Sequence, residues 1–192
     1  MEQPLPRLVL VRHGETEWSL ARRHTSHTDL PLTGEGRAAA ERLKPLLADW
    51  RFARVLTSPL QRAKTTCEIA GFGHVAEVRG DLREWDYGLY EGRLTADIRA
   101  ETPTWQLWRN GAPRGETAEM VGSRADHIIA EVRSLNGDSL VFGHAHMLRV
   151  LAARWLELPP RDGRLFMMDT GAVSVLGYER EQPTIVRWNQ VR

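Results

Sequence analysis

Four basic side chains stand at the ends of predicted strands or one helical turn beyond. Arg12 and His13 directly follow the apolar run "LVLV", and His144 follows the stretch "SLVFG". Arg62 lies one turn into the helix predicted after a strand over 53–58. In open α/β sheets, ligands bind beyond the carboxyl ends of the strands, so we expect these side chains to face one edge. Because the planar fork of arginine matches phosphoryl oxygens, the sequence predicts a phosphate site there.

Each of these residues also has an ordinary interpretation when it is taken singly. A histidine after a strand is often structural, and an arginine on a helix is often a solvated charge. The functional interpretation is favoured because all four fall at the same predicted edge. Neighbouring glycines, Gly14 and Gly143, would also permit sharp turns and close approach of a ligand to the backbone.

The elements that must position these residues alternate along the chain. Strands are predicted over 7–12, 53–58, 75–78 and 139–142, and two closing strands in "AVSVLGYE" and "TIVRW". Helices are predicted after Thr33, from Ser58, over 117–135 and from His144 to about residue 157. Strands alternating with helices predict an α/β fold, namely a three-layer sandwich with a largely parallel central sheet and helices on both faces.

Local signals refine these boundaries. Thr33 is a predicted N-cap, and Pro45 is expected to kink or end the helix that follows it. Ser58 and Gln61 form a predicted capping box with Pro59 at the first helical position. Residues 93–116 are less regular and rich in proline and glycine, which predicts a small helical roof over the sheet.

The composition bounds the class of protein. A chain of 192 residues with 27% charged residues is typical of one globular domain, predicted over 1–192. Its 26 basic and 25 acidic side chains give a net charge of +1, so no overall field points to nucleic acid or to a membrane surface. Cys67 is the only cysteine, which excludes an intrachain disulfide and cysteine-rich zinc sites. The absence of leader and membrane-span patterns favours the cytoplasm. The final strands could pair across a homodimer or simply finish the sheet.

Several motifs resemble one family. "LVLVRHGETEW" is similar to the signature of the histidine phosphatase superfamily, also called phosphoglycerate mutase-like. The family's order continues through "HTSHTDLPLTGEG", "LTSPLQRAKTT", "LREWDYGLYEG", "PRGETAEMV" and "LVFGHAHMLRVLAARW". Within it, "EWDYGLYEG", "WQLWRNG" and "DTGAVSVLGYE" resemble the broad-specificity acid phosphatases and the sedoheptulose-bisphosphatase-like members.

The resemblance implies a reaction and its catalytic residues. His13 would attack phosphorus in line and carry a phosphohistidine that water later hydrolyses. Arg12, Arg62 and His144 would grip the equatorial oxygens, so that neither a metal nor another cofactor is needed. Glu84 would protonate the leaving oxygen, with a pKa raised by the bound phosphate and by partial burial beside its neighbour. Taken alone, Glu84 could equally be a surface partner of an arginine.

The resemblance also suggests residues that bind substrate. Ser19 and Thr25 match positions that contact the phosphate, and Ser26 would offer its backbone amide. Tyr87 lies in the same motif as the proposed acid and completes this set. In the roof, Arg109 and Arg114 would select the leaving group, for example by holding the second phosphate of a sugar bisphosphate. The alternative is a packed lid with solvated arginines.

Three functions are compatible with these residues. The favoured one is a phosphatase for small phosphate monoesters such as sugar phosphates. A phosphoglycerate mutase is the alternative, but mutases carry asparagine where this chain has Ser19 and lysine where it has Thr95, and have a longer stretch after the proton donor. A non-catalytic phosphoryl-binding module is disfavoured because His13 and Glu84 are both present.

Overall fold

A single six-stranded sheet organises the chain. The computed structural model describes residues 5–191. The strands are β1 (Leu8–Arg12), β2 (Phe52–Thr57), β3 (Glu77–Val78), β4 (Asp138–Gly143), β5 (Val173–Glu179) and β6 (Gln182–Gln190). Their spatial order is β3-β2-β4-β1-β5-β6. The first four strands run parallel, whereas β5 and β6 join as antiparallel strands at one side. The predicted fold class is confirmed.

Seven α-helices connect and cover the strands in this part of the chain. They are α1 (Glu17–Leu20), α2 (Gly34–Leu47), α3 (Gln61–Ile69), α4 (Thr95–Glu101), α5 (Leu107–Asn110), α6 (Ala118–Arg133) and α7 (Ala145–Trp155). Three short 3₁₀ helices lie at Gly80–Leu82, Gly88–Tyr90 and Pro160–Leu165. No helix among residues 5–191 is long and apolar enough to cross a bilayer.

Strand β1 lies at the centre and is covered on both faces. Leu8 and Leu10 pack into a cluster with α6 and α7, whereas Val9 and Val11 pack into a second cluster with α2 and α3. All four are fully buried, which explains why the strand reads as a continuous apolar run. Each such side chain contributes about 1.5–3 kcal/mol to stability, so the strand end that follows is firmly placed.

The two ends of helix α2 were predicted from Thr33 and Pro45. Thr33 does cap α2, since its Oγ1 accepts a hydrogen bond from the amide of Gly36 at 3.0 Å. Pro45 lies inside the last turn of α2, which ends two residues later at Leu47.

The predicted capping box at Ser58 is wrong. Helix α3 begins at Gln61 with Leu60 in the cap position and without a side-chain cap. The Ser58 hydroxyl instead lies 2.7 Å from Nε2 of His144, and the Gln61 side chain donates to the carbonyl of Asp29. The amide of Gln61, which the capping box would have used, donates to Oδ1 of Asp29 at 2.8 Å, and no local pattern reveals that distant partner.

The predicted roof consists of α4, α5 and the loops around them. Trp105 and Leu107 are buried beneath it, and Trp105 donates from Nε1 to the carbonyl of Gly111 at 2.9 Å. Gly111 has a φ of +64°, which glycine adopts without strain. The roof is therefore packed by its tryptophans. The other side of the sheet ends at β6, which pairs only with β5 in the described chain. A homodimer through β6 stays a prediction.

Candidate active site

A cavity of about 840 Å³ opens at the carboxyl ends of the parallel strands. Register places these ends side by side, since Arg12 pairs with Gly143 and Thr57 with Phe142. Five arginines and three histidines line the cavity against three carboxylates. The basic residues are Arg12, Arg22, Arg23, Arg62, Arg149, His13, His24 and His146; the acidic ones are Glu15, Glu84 and Asp169. The cavity is thus built to attract an anion.

His13 is buried and held in one tautomer. Its Nδ1 lies 2.7 Å from the carbonyl oxygen of Gly14, which can only accept, so Nδ1 carries the proton and donates it. Nε2 therefore keeps its lone pair. Burial lowers the pKa of His13 well below its ordinary value, and the positive charges of Arg12 and Arg62 lower it further. The ring is a neutral nucleophile.

The turn after His13 is fixed by two close contacts. A Cβ on Gly14 would lie 2.2 Å from the carbonyl oxygen of Gly36, so only glycine fits at this crossing of the β1–α1 turn with α2. The Gly14 amide donates to Oγ1 of Thr66 at 3.0 Å, and that hydroxyl donates to the carbonyl of Arg62 at 2.7 Å. The nucleophile's loop is therefore tied to α3, the helix that carries Arg62.

Arg62 is 1% exposed and uses all three guanidinium nitrogens. Nη1 donates to the carbonyl of Thr28 at 3.1 Å, and Nη2 donates to the carbonyls of Thr25 and Ser26 at 3.2 Å each. Nε donates to Nδ1 of His144 at 3.2 Å. Burial lowers the pKa of Arg62, and the carboxylates of Glu84 and Asp29 raise it only in part. None of its hydrogen-bond acceptors is charged, so a bound anion would add the direct ionic partner that this guanidinium does not have among residues 5–191.

Arg12 completes this positive cluster. Its Nη1 donates to the carbonyl of Met168 at 2.6 Å, and its buried Nε has no hydrogen-bond partner among residues 5–191. Burial is the main cause that lowers the pKa of Arg12. A buried polar nitrogen without a partner costs free energy, which a substrate oxygen could recover.

His144 has a different set of contacts from those expected. Its Nδ1 accepts from Arg62, so Nε2 carries the proton and donates to Oγ of Ser58. Burial and the charge of Arg62 lower the pKa of His144 well below its ordinary value, which keeps the ring neutral. Its ring lies 5.1 Å from that of His13. Both nitrogens bind protein groups here, so His144 orients Arg62, whereas the sequence predicted a contact with a phosphoryl oxygen.

Glu84 enters the same cavity from the loop before the roof. Its carboxylate is 6% exposed, and Oε1 accepts from the amides of Trp85 and Met147 at 2.9 Å each. Oε2 accepts from the amide of His146 at 3.2 Å. Two of these amides belong to the first turn of α7, whose positive end favours a carboxylate there. Glu84 is thus fixed in place by backbone donors, and it faces the same space as His13.

The predicted phosphate contacts from the β1–α2 loop have mixed outcomes. Ser19 and Thr25 line the cavity, but the Ser19 hydroxyl is bonded to the Thr16 backbone and the Thr25 hydroxyl donates to the carbonyl of Arg23. Ser26 does not line the cavity. Its amide, which was expected to bind substrate, donates to both carboxylate oxygens of Glu91 at 2.9 Å.

Tyr87 lines the cavity as expected, and its hydroxyl lies 2.7 Å from Nδ1 of His146. Burial raises the pKa of Tyr87 well above its ordinary value, and burial likewise lowers the pKa of His146, so both rings are neutral. The pair forms part of the wall beside Glu84.

The roof arginines are not in the cavity, which corrects the prediction for Arg109. Arg109 and Arg114 are exposed, and neither lines the site. The short helix α5 buries Leu107 and leaves Arg109 exposed.

Sequence reasoning missed Arg149, which does line the cavity. Its position in the sequence could have identified it, because it lies five residues after His144 on α7, a helix that begins at the site.

No group of three histidine, cysteine, aspartate or glutamate residues within 5–191 has the arrangement of a metal site.

Comparison with known proteins agrees with this geometry. Residues 8–191 match the family model of the histidine phosphatase superfamily, branch 1. An acid phosphatase of Mycobacterium tuberculosis is 41% identical over 177 residues, covering 90% of this chain and 87% of the relative. Sedoheptulose 1,7-bisphosphatase of Saccharomyces cerevisiae is 37% identical, covering 80% of this chain and 68% of the relative.

A solved structure from Mycobacterium tuberculosis, that of the open reading frame Rv3214 product, superposes with a TM-score of 0.92 at 39% identity, covering 97% of this chain and 98% of that one. The resemblance seen in the motifs is thus confirmed over nearly the whole length. The chain belongs to the histidine phosphatase superfamily, branch 1.

Proposed function

We propose that this chain is a metal-independent phosphatase that hydrolyses small phosphate monoesters through a phosphohistidine on His13. The observation that carries the proposal is the state of His13, a neutral ring whose Nδ1–H is held by Gly14 and whose Nε2 keeps its lone pair beside two buried guanidinium groups. Phosphatases among the relatives support the same reaction class. The enzyme is a phosphoric monoester hydrolase of the histidine acid phosphatase type.

The first step transfers the phosphoryl group to the enzyme. Nε2 of His13 forms a bond to phosphorus as the bond from phosphorus to the ester oxygen breaks. Glu84 gives its proton to the departing alkoxide, which leaves as an alcohol. Arg12 and Arg62 are already held in place by their hydrogen bonds to backbone carbonyls, so they stabilise the oxygens of the transferring group without rearranging.

The second step returns the enzyme to its starting state. Water attacks phosphorus while the Glu84 carboxylate accepts a proton from it, and the bond from phosphorus to Nε2 breaks. Inorganic phosphate leaves, and the electron pair returns to Nε2 of His13. The Nδ1–H donated to Gly14 keeps the ring in the correct tautomer throughout.

An ester panel assayed with a chelator present tests the proposal. Sugar phosphates, sugar bisphosphates, phosphoglycerates, nucleotides and a phosphopeptide would be compared, with His13→Ala as the matched variant. We expect chelator-resistant release of phosphate from small esters by the wild type and none by the variant. A protein that binds phosphate without any turnover would be a phosphoryl-binding module, and the proposal would fail.

The mutase alternative makes a separate prediction. A mutase must return its phosphoryl group to a second hydroxyl, so isomerisation of 3-phosphoglycerate would outpace phosphate release. At the position expected for a mutase lysine, Thr95 instead contacts Nε2 of His24 through its hydroxyl at 3.2 Å. We therefore expect hydrolysis to dominate.

We also propose that residues 1–192 form one domain and that the enzyme works in the cytoplasm. One sheet with a core on each face supports the first statement. The cysteine content supports the second, since Cys67 is the only cysteine in the chain and the fold uses no intrachain disulfide, as is usual in a reducing compartment.

A further inference from the structure

A carboxylate outside the cavity binds the loop that surrounds Arg62. Glu91 directly follows the 3₁₀ helix Gly88–Tyr90, is half-buried and does not line the cavity. Both of its carboxylate oxygens accept from the amide of Ser26 at 2.9 Å, and Oε1 also accepts from the amide of Thr28 at 3.0 Å. The proposed reaction gives Glu91 no task, although charge-assisted hydrogen bonds of this kind are among the stronger ones in a protein.

The same loop supplies the backbone acceptors of Arg62. The peptide group that joins Thr25 to Ser26 is shared, since its N–H donates to Glu91 and its carbonyl accepts from Nη2 of Arg62 at 3.2 Å. A peptide group is planar, so a carboxylate that fixes its N–H also fixes the direction of its carbonyl. Thr28 is bound in a similar way, with its amide on Glu91 and its carbonyl on Nη1 of Arg62 at 3.1 Å. The direction of the guanidinium therefore depends on Glu91.

Both ends of this arrangement are anchored. On one side, the amide of Gly92 donates to the carbonyl of His24 at 2.7 Å, and the amide of His24 donates to the carbonyl of Arg93 at 3.0 Å. On the other side, Asp29 accepts from the amide of Gln61 at 2.8 Å, at the start of the helix that carries the arginine. The loop over 25–28 is thus held between the segment before the roof and helix α3.

The charge of Glu91 also reaches Arg62 without a direct contact. Burial lowers the pKa of Arg62, and Glu91 is among the carboxylates whose charge opposes this shift. A carboxylate bonded directly to the guanidinium would compete with a phosphoryl group for the same N–H donors. Because it binds the far side of a shared peptide group, Glu91 supports the arginine and leaves the face toward the cavity to the substrate.

We infer that Glu91 is a positioning residue, which holds Arg62 in register with the transferring phosphoryl group through the loop over 25–28. The inference rests on the proposed function, in which Arg62 stabilises the oxygens of that group. Without the carboxylate, the Thr25–Ser26 peptide group is free to rotate, and Arg62 loses acceptors that fix its direction. A displacement of about 1 Å at a reacting centre can cost about 10²-fold in rate.

A double-mutant cycle on kcat/KM for p-nitrophenyl phosphate tests the inference. Glu91→Gln keeps the size of the side chain but turns one acceptor into an NH₂ group, which cannot accept from a backbone amide. We expect kcat/KM to fall about 10- to 100-fold in the otherwise wild-type chain. In the Arg62→Lys background the further loss should be less than about 3-fold, because the group on which Glu91 acts is already gone. The same fold loss in both backgrounds, or no loss in either, would overturn the inference.

The controls separate the possible failures. Glu101→Gln removes an exposed carboxylate of α4 that pairs with Arg93, and it should leave kcat/KM unchanged. Urea unfolding checks that each variant is folded at the assay temperature, and Glu91→Asp, which is shorter by one methylene group, replaces a Glu91→Gln chain that does not fold. The same outcomes then decide the test. No turnover of any ester by the wild type overturns the proposed function, whereas additive losses in an active enzyme overturn the role of Glu91 alone.

Discussion

The inner and outer parts of the cavity hold their charges in different ways. The inner cluster is formed by Arg12, His13, Arg62 and His144. Arg12 is half-buried and the other three are buried, and bonds to backbone carbonyls and to one another hold them in place. The outer rim carries Arg22 and Arg149 beside apolar Leu20 and Met167, which are 67% and 69% exposed. The fixed inner charges suit bond making and breaking, whereas the accessible outer charges suit choice among substrates.

The inner cluster depends on the order of the sheet more than on local sequence. Its members are separated by up to 132 residues in the chain (144 − 12) and meet because β1, β2 and β4 are parallel neighbours. The rim residues belong to a helix and to loops. We therefore expect substitutions in the cluster to reduce turnover of every substrate. Substitutions at the rim should instead change the order in which the enzyme prefers its substrates.

After His13→Ala, which should abolish turnover, the largest effect is expected for Glu84→Gln. The amide cannot donate a proton as an acid, so kcat for an alkyl phosphate should fall about 10³-fold. For p-nitrophenyl phosphate, whose leaving group needs little protonation, the loss should be about 10-fold or less. Steady-state kinetics on both esters measures the difference. Equal losses on the two would contradict the assignment of Glu84 as the acid.

Arg62→Lys should have the next largest effect. Lysine keeps the charge but cannot reach Thr25, Thr28 and His144 together with one planar group. We expect kcat/KM to fall about 10²-fold on every ester tested. Arg23→Lys at the rim is the matched control, and should change any one substrate by a few-fold only. A fall in kcat/KM that differed strongly from one substrate to another in Arg62→Lys would contradict the distinction between cluster and rim.

Activity should favour the acidic side of neutrality. His13 stays a neutral nucleophile there because burial and two arginines hold its pKa well below the ordinary value. General-acid catalysis must also deliver a proton to the leaving oxygen of an alkyl ester, and protons are more available at low pH. We expect kcat/KM for glycerol 3-phosphate to be several-fold higher near pH 5.5 than near pH 8. A rate that kept rising above neutral pH would contradict the role of Glu84.

Folding stability, unlike activity, should decrease on the acidic side of neutrality. The pKa values of His13 and His144 are lowered by burial, so below the ordinary histidine pKa the unfolded chain binds protons that the folded chain does not. Each histidine should therefore reduce the free energy of unfolding by up to about 1.4 kcal/mol per pH unit below pH ~6.5. Urea unfolding measured at several pH values tests this, with His74→Gln at an exposed site as a control. A free energy of unfolding that did not change between pH 6.5 and pH 5 would contradict this prediction.

The sequence predicted the parts of this molecule that depend on local pattern. The apolar run of β1, the Thr33 cap and the strand ends carrying Arg12, His13 and His144 all follow from periodicity and strand-end position. These predictions are correct because a parallel strand that is buried on both faces must consist mainly of apolar residues, which the sequence shows directly.

The errors arose where a distant partner competed for a group. The Gln61 amide that Ser58 was expected to cap donates to Asp29, which lies 32 residues away, and the Ser26 amide donates to Glu91. The sequence could not show whether Arg109 or Arg149 lines the cavity, because that depends on how Trp108 packs in the folded chain. Long-range contacts, which sequence patterns do not encode, decided all three.

The most direct test of the account is to trap the covalent intermediate. The wild-type enzyme is mixed with a fast aryl phosphate, quenched within the first turnovers at alkaline pH, digested and analysed by mass spectrometry. The account predicts one phosphoryl group on the peptide that contains His13, acid-labile and absent from His13→Ala. Phosphate release at full rate with no phosphopeptide, or a phosphoryl group on His144 or His24 instead, would contradict it.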